Sequence, residues 1–241
     1  MIINARNLHF KELNARIKAS EDSEITVKGA LGQRYIGSGV LGRRTITIQG
    51  VPGNALGAYL DSSNIVVCGN AQDATGDTMN DGTIVIHGSA GDATGYAMRG
   101  GKIYVHGNTG YRAGIHMKEY KDKVPVIVIG GSTGSFLGEY QAGGIIIVLG
   151  LGSEGKLPVG NFCSTGMHGG KVFLRTDEAP KDLPRQVVVK KATRADLAQI
   201  QPYLEEFCTL FDENVEKILE KPFIILTPDT KNPYKQLYTQ N

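Results

Sequence analysis

Tryptophan is absent, and only three cysteines, Cys68, Cys163 and Cys208, are scattered along the 241 residues. An odd, widely spaced set gives no disulfide framework and no closely spaced thiolates for an iron–sulfur cluster. Each cysteine reads first as a small buried hydrophobe, and the set fits a reducing compartment, the cytoplasm. Charge of either sign is not in excess: the formal net charge is +2. That removes the electrostatic case for nucleic acid or an acidic membrane surface as a partner. No apolar run approaches the ~18 residues of a membrane helix. Met1-Ile2-Ile3-Asn4-Ala5-Arg6 lacks the charged-then-apolar order of a signal peptide. What is present in quantity is apolar residues, 41%, enough for the core of one or two domains, and glycine. The 32 glycines are about twice the usual share.

The glycines are periodic. Ile46-Thr-Ile-Gln-Gly50, Ile65-Val-Val-Cys-Gly69, Ile84-Val-Ile-His-Gly88 and Ile103-Tyr-Val-His-Gly107 recur every 19 residues, and seven residues after each glycine comes another: Gly57, Gly76, Gly95, Gly114. Two further units, ending at Gly131 and Gly150, follow after an insertion of roughly Glu119 to Val124, which should bulge as a loop; Gly138 again sits seven after Gly131. A looser unit starts at Ile25, and a last strand, Lys171 to Arg175, follows Gly166-Met-His-Gly-Gly170. A repeat of this kind is one supersecondary unit that buries its apolar face only by stacking on its neighbours.

The first and third positions of each strand are Ile or Val, which period-two alternation puts on one face. Stacked coils would turn them into two aliphatic ladders, each side chain contributing about 1.5–3 kcal/mol on full burial. Leu60, Met79, Met98 and Met117 form another register, and Ala55, Ala74 and Ala93 a further one. The glycines Gly50, Gly57, Gly69, Gly76, Gly88, Gly95, Gly107, Gly114, Gly131, Gly138 and Gly150 mark corners where a positive φ or close backbone approach excludes a Cβ. The expected fold is all-β: a single-stranded right-handed parallel β-helix of about seven coils, about 34 Å long at ~4.8 Å per coil.

Residues 1–184 form this body in the sequence reading, with a short amphipathic helix from His9 to Ala19 as its N-terminal cap. Residues 185–241 form a helical extension and tail. Thr193 and Asp196 suggest a capping box opening one or two helices to Glu220, with Pro202 as a candidate break. Phe223 to Leu226 is a short apolar run, and the last dozen residues read as a polar tail.

The series Gly32-Gln-Arg-Tyr-Ile-Gly37, Gly69-Asn-Ala-Gln-Asp-Ala-Thr-Gly76, Gly131-Ser-Thr-Gly-Ser-Phe-Leu-Gly138 and Gly166-Met-His-Gly-Gly170 resembles the C-terminal β-helix, or GXGXG, domain of the glutamate synthase large subunit. The β-helical component of formylmethanofuran dehydrogenase is a related resemblance. The likeness runs from about Ile3 to Thr176 and rests on the whole in-register series, since one GXG means little. It implies a part without catalytic residues or cofactor. That part would sit between a glutaminase and a flavin/iron–sulfur synthase and hold their geometry, here as a separate chain in a complex or homo-oligomer.

The residues offer little chemistry to set against that. The chain begins Met1-Ile2-Ile3, without the N-terminal cysteine nucleophile that the resemblance associates with the glutaminase. Gly37-Ser-Gly39 and Gly150-Leu-Gly152 are not followed by a helix, so the anion site of a helix N-terminus is missing. His87 and His106 stack one coil apart and would suit a shared metal, but no carboxylate completes the set and Cys68 is a weak third ligand; an outward surface ladder is the plainer reading. Asp73 and Asp92 also stack. Paired carboxylates serve glycoside hydrolysis, giving a carbohydrate-active β-helix as the reading of another class, yet both lie in Asp-Ala-Thr-Gly turns where Asp bonds backbone N–H groups. The outward middle strand positions, Thr47, Val66, Val85, Tyr104, Val128 and Ile147, are mostly apolar. Something must cover them, either the chain's own C-terminal helix or a partner subunit, so Val66, Val85, Tyr104, Val128 and Ile147 are the candidate interface.

Overall fold

The computed structural model describes residues 1–153 and 155–229; the expected polar tail beyond Asp229 lies outside the described residues. The chain is a parallel β-solenoid of about seven turns. Its strands are β1 (Ile2–Asn4), β2 (Glu24–Leu31), β3 (Thr45–Val51), β4 (Asn64–Val67), β5 (Thr83–Ile86), β6 (Lys102–Val105), β7 (Val126–Ile129), β8 (Ala142–Val148) and β9 (Gly169–Leu174). Each pairs in parallel with the next. The register follows the repeat: Ile46 pairs with Ile65, Ile65 with Ile84 and Ile84 with Ile103.

Two inward ladders result. Ile25, Ile46, Ile65, Ile84, Ile103, Ile127, Ile146 and Val172 form one, and Val27, Ile48, Val67, Ile86, Val105, Ile129, Val148 and Leu174 the other, all essentially without solvent contact. Leu60, Met79, Met98 and Met117 close the same core from the opposite wall. Ala55, Ala74 and Ala93 do something else: they take left-handed backbone, φ 61°, 56° and 55°, at the corners.

The corner glycines divide into two physical kinds. Gly76 has φ +71°, and a Cβ there would stand 2.4 Å from Ile103 Cδ1, so the aliphatic ladder fills the space a side chain would need. Gly88 has ordinary φ, but its Cβ would meet Asn70 Oδ1 at 2.1 Å. Asn70 Oδ1 accepts the Ser89 N–H, Ser89 Oγ accepts the Asn108 N–H, and Asn108 Oδ1 accepts the Ser132 N–H. A polar side chain on each coil thus satisfies a backbone group of the next, where glycine lets the backbones close in.

Helix α1 (Phe10–Ala19) seats Leu13 and Ile17, both fully buried, on the open end of the core. His9 caps it through Nδ1 and the Lys11 N–H. The insertion before β7 folds back on itself through a Tyr120–Lys123 bridge, and Lys123 Nζ reaches Asp81 at 3.2 Å and Asp61 at 3.7 Å on the preceding coils.

The C-terminal segment returns to the solenoid. Strand β10 (Val187–Lys191) leads to helices α2 (Arg194–Phe211) and α3 (Val215–Leu219), then β11 (Ile224–Pro228) inserts antiparallel between β9 and β10. Ile224 and Leu226 extend the interior ladders. Thr193 and Asp196 form the capping box. Pro202 does not break the helix: α2 runs through it. An interior proline costs about 3 kcal/mol, and the burial of Ile200, Leu204, Phe207 and Phe211 along one face of α2 offsets that.

Candidate functional site

The outward stripe of the sheet was expected to be covered either by the chain's own C-terminal helix or by a partner subunit, and the chain's own helix covers it. Helix α2 lies across it. Val85, Tyr104, Val128 and Ile147 pack with Ile200, Leu204, Phe207, Cys208 and Phe211 in a second apolar cluster, and Val66 is partly buried at its margin. These five residues are therefore an internal seam, not an open interface, because the chain's own helix supplies the apolar face they need. Glu206 fastens the seam. One carboxylate oxygen, Oε2, accepts from Tyr104 Oη at 2.7 Å and from Lys102 Nζ at 2.5 Å. Burial and the adjacent Glu206 carboxylate push the Tyr104 phenol well above its ordinary range. At the N-terminus of α2, Lys190 Nζ at 2.8 Å and the Thr193 N–H and hydroxyl hold the Asp196 carboxyl well below the usual carboxylate range.

The histidines belong to this seam. His106 stacks on Phe211 with centroids 4.8 Å apart and sets Nε2 3.1 Å from Glu213 Oε1. His87 meets the same Phe211 ring edge-on at 5.3 Å. Both rings touch the end of α2 while staying outward: His87 is exposed and the His106 side chain is 38% exposed, so they form an outward surface ladder with Phe211 packed across it. Among the described residues no group of three His, Cys, Asp or Glu is placed to hold a metal ion. Cys68 is exposed, against the expectation that all three cysteines are buried. Strand alternation turns it outward, next to the inward Val67. Cys163 is fully buried, which pushes its thiol up to about 12.

The stacked carboxylates are structural acceptors. Asp73 Oδ1 takes the Asp92 N–H at 2.9 Å, and Asp92 Oδ1 takes the Tyr111 N–H at 2.8 Å. The bonds run to the next coil, not within the turn. Each aspartate has an acceptor oxygen committed to the backbone, which weakens the case for a hydrolytic pair.

A surface that sequence reasoning missed lies at the corners. Phe136 and Phe162 stack at 5.0 Å, His116 and Tyr140 at 5.2 Å, and Tyr96 meets His116 edge-on at 5.9 Å. Arg112 lies 5.0 Å over Phe136 and pairs through Nε with Glu139 at 3.0 Å. Tyr96, Tyr140 and Phe162 are 39%, 44% and 49% exposed, and Tyr111 beside them 54%. Arg112, His116, Phe136, Tyr140 and Phe162 all adopt left-handed backbone, φ 52° to 64°, at positions where glycine or asparagine is the usual occupant. Stacking between coils offsets that strain. Insertions hide the register: Ile103 pairs with Ile127 and Ile146 with Val172, so aromatics on successive coils are not 19 apart in sequence. The stacked rings commit faces to one another, and Tyr140 also lies where a Cβ on Gly166 would be, 2.4 Å from its Cδ1. A row of free ring faces for sugar rings is therefore not what these pairs present.

The coil geometry and its glycine register have a counterpart among known proteins: the model of the GXGXG motif family matches residues 11–227. The chain belongs to the GXGXG motif family. A family relative, the uncharacterized protein MJ1350 of Methanocaldococcus jannaschii, is 45% identical over 251 aligned residues, covering 99% of this chain and 96% of that protein. Among solved structures, this GXGXG chain superposes on a chain of the formyltransferase/hydrolase complex FhcABCD of Methylorubrum extorquens, determined with methylofuran. The TM-score is 0.67 at 20% identity, over 94% of this chain and 90% of the other. At that identity the likeness is one of fold. No helix among the described residues is long and apolar enough to cross a membrane.

Proposed function

We propose that this GXGXG chain is a non-catalytic structural subunit of a glutamate synthase-type complex in the cytoplasm, where it holds a glutaminase subunit and a flavin/iron–sulfur synthase subunit in fixed relation. The observation that carries the reading is the way the molecule uses its functional groups. The aliphatic ladders, the stacked aspartates and the histidine pair are all engaged in holding coil to coil or helix to sheet. Among the apolar groups left toward solvent, those from Tyr96 to Phe162 are gathered into one stacked aromatic corner. Aromatic residues and arginine are the types enriched at protein interfaces, so this corner replaces the covered seam as the docking surface. In this reading the extension from residue 185 is the lid of the β-helix of residues 1–184.

A second reading keeps the structural role and changes the assembly: a scaffold of a formylmethanofuran dehydrogenase-like redox complex. The likeness in fold to a chain of the FhcABCD complex favours it. Affinity purification of the chain from its own cells, followed by mass spectrometry, separates the two. Glutaminase and flavin/iron–sulfur synthase subunits support the first reading. Formyltransferase-type or molybdenum or tungsten redox subunits support the second. Recovery of the chain only as a free monomer overturns both.

A further inference from the structure

The insertion before β7 is built into its surroundings more firmly than a tolerated loop needs to be. Ile103 pairs with Ile127, 24 residues on, where Ile84 pairs with Ile103 after 19, so five residues are added to this coil. Surface loops accept such additions without support. Here the neighbouring coils make room. A Cβ on Gly143 would stand 2.6 Å from the Glu119 nitrogen. One on Gly100 would stand 3.0 Å from Lys123 Cβ, as well as 2.3 Å from the Asn80 carbonyl oxygen. Neither glycine has a positive φ, so space, and not backbone conformation, excludes a side chain at both.

The insertion is then fastened on three sides. Tyr120 and Lys123 exchange backbone hydrogen bonds at 3.1 and 3.0 Å. Glu119 Oε1 accepts the Gly144 N–H of the following coil at 2.9 Å. Lys123 Nζ pairs with Asp81 and Asp61, which draws the segment back along the preceding coils as a strap. This stapling uses Glu119 and Lys123. It leaves Tyr120 50% exposed and Val124 41% exposed, with Lys121 Nζ 5.3 Å over the Tyr120 ring. Arg99 and Lys118 stand at the base of the strap on adjacent coils, joined by the Lys118 N–H to Met98 carbonyl bond next to Arg99, and both are exposed. Arg99, Lys118 and Lys121 enter no ion pair among the described residues; the pairs of this region belong to Lys123 and Arg112. Asp61, Asp81 and Glu119 are engaged with the strap itself, so what it turns outward is aromatic and cationic, with Asp122 beside it.

We infer that the strap is a second docking surface, on which Tyr120 and Val124 enter an apolar recess of a partner subunit whose acidic rim meets Lys118 and Lys121. The inference rests on the structural-subunit reading above: holding two subunits in fixed relation takes two contact surfaces, and the aromatic corner is one. Tyrosine and arginine are the types that carry binding energy at interfaces. A surface fastened before it binds loses little loop entropy on binding, which gives the staples a purpose beyond the coil they join. Glu119 and Lys123 are positioning residues in this arrangement.

Affinity purification of the full chain from its own cells, with quantitative mass spectrometry, tests the assignment. Tyr120→Ala should lower the recovery of one partner subunit about tenfold and leave that of the other unchanged. Lys121→Glu should lower the same subunit, and raising the salt concentration should weaken its retention on the unaltered chain. Lys123→Met, which loosens the strap and spares its exposed side chains, should give a smaller loss of that subunit. Tyr120 touches no core residue, so the urea midpoint of Tyr120→Ala should match that of the unaltered chain; Lys121→Glu carries the test if it does not. Recovery unchanged in the folded variant, or lowered equally for every subunit, overturns the inference and leaves the structural reading standing. An unaltered chain that retains no partner subunit overturns that reading, and the inference with it.

Discussion

The solenoid turns two outward surfaces to its surroundings, and they solve opposite problems. The sheet face carries Val85, Tyr104, Val128 and Ile147, and α2 covers these four, leaving Val66 partly open at the margin. The corner carries Tyr96, Tyr140 and Phe162, which stay open to solvent, with Phe136 half-buried among them. The sheet face is the more aliphatic, yet it is the corner that is free to meet another molecule. Apolarity along a stripe says that a cover exists; it does not say whether the cover is in the same chain. The energetics differ too. The seam gains from burial, whereas the corner holds five non-glycine residues in left-handed backbone and balances that against ring stacking.

The contrast is sharpest in the phenylalanines. Phe207→Ala, which removes a fully buried ring from the seam, should destabilise the chain by about 3–5 kcal/mol. Phe162→Ala at the corner should cost about 1 kcal/mol or less while reducing recovery of partner subunits in affinity purification. Urea unfolding and quantitative mass spectrometry read the two halves. Comparable stability losses would erase the distinction between seam and corner.

Within the seam, Glu206→Ala leaves the Tyr104 hydroxyl buried without its acceptor. An expected loss of about 1–3 kcal/mol in unfolding free energy follows from the orphaned group. Glu206→Gln should recover part of it, because an amide oxygen still accepts.

The smallest effect is a pH dependence. The Asp196 carboxyl is held below the ordinary carboxylate value by Lys190 and Thr193. Its contribution is therefore fully present above the unfolded value of about 3.9 and is lost as pH falls toward the folded one. Unfolding midpoints measured from pH 7 down to pH 3 should decline less steeply below about pH 4 in Asp196→Asn than in the unaltered chain.

How much of this was legible in the sequence varies with the kind of constraint. The inward ladders and the capping box of Thr193 and Asp196 were, because each depends on local spacing alone. The covering of Val66 to Ile147 by α2 was one of two alternatives, since spacing does not say which partner an apolar face finds. Three features were not legible. Ala55, Phe136 and Tyr140 carry no residue-type signal for left-handed backbone; only stacking on neighbouring coils offsets its strain. The aromatic register is broken by the insertions at Glu119 to Val124 and after Gly150. Pro202 looks like a helix stop, and the contacts that override it come from strands far earlier in the sequence, from Val85 to Phe173.

The reversal at β11 has a consequence for assembly. A parallel solenoid is open-ended: the last strand presents the same row of unpaired backbone groups that the next coil would use. In this chain β11 enters antiparallel on β9, and the outermost strand, β10, ends in Lys190 and Lys191, residues that discourage edge pairing. At the other extremity β1 is three residues long and α1 plugs the core. Chain growth by end-to-end stacking is thus terminated at both poles. A truncation after residue 184 removes β10, β11 and α2 together and bares only the β9 pole, so light scattering should then find pairs joined head to head where the whole chain gives single particles.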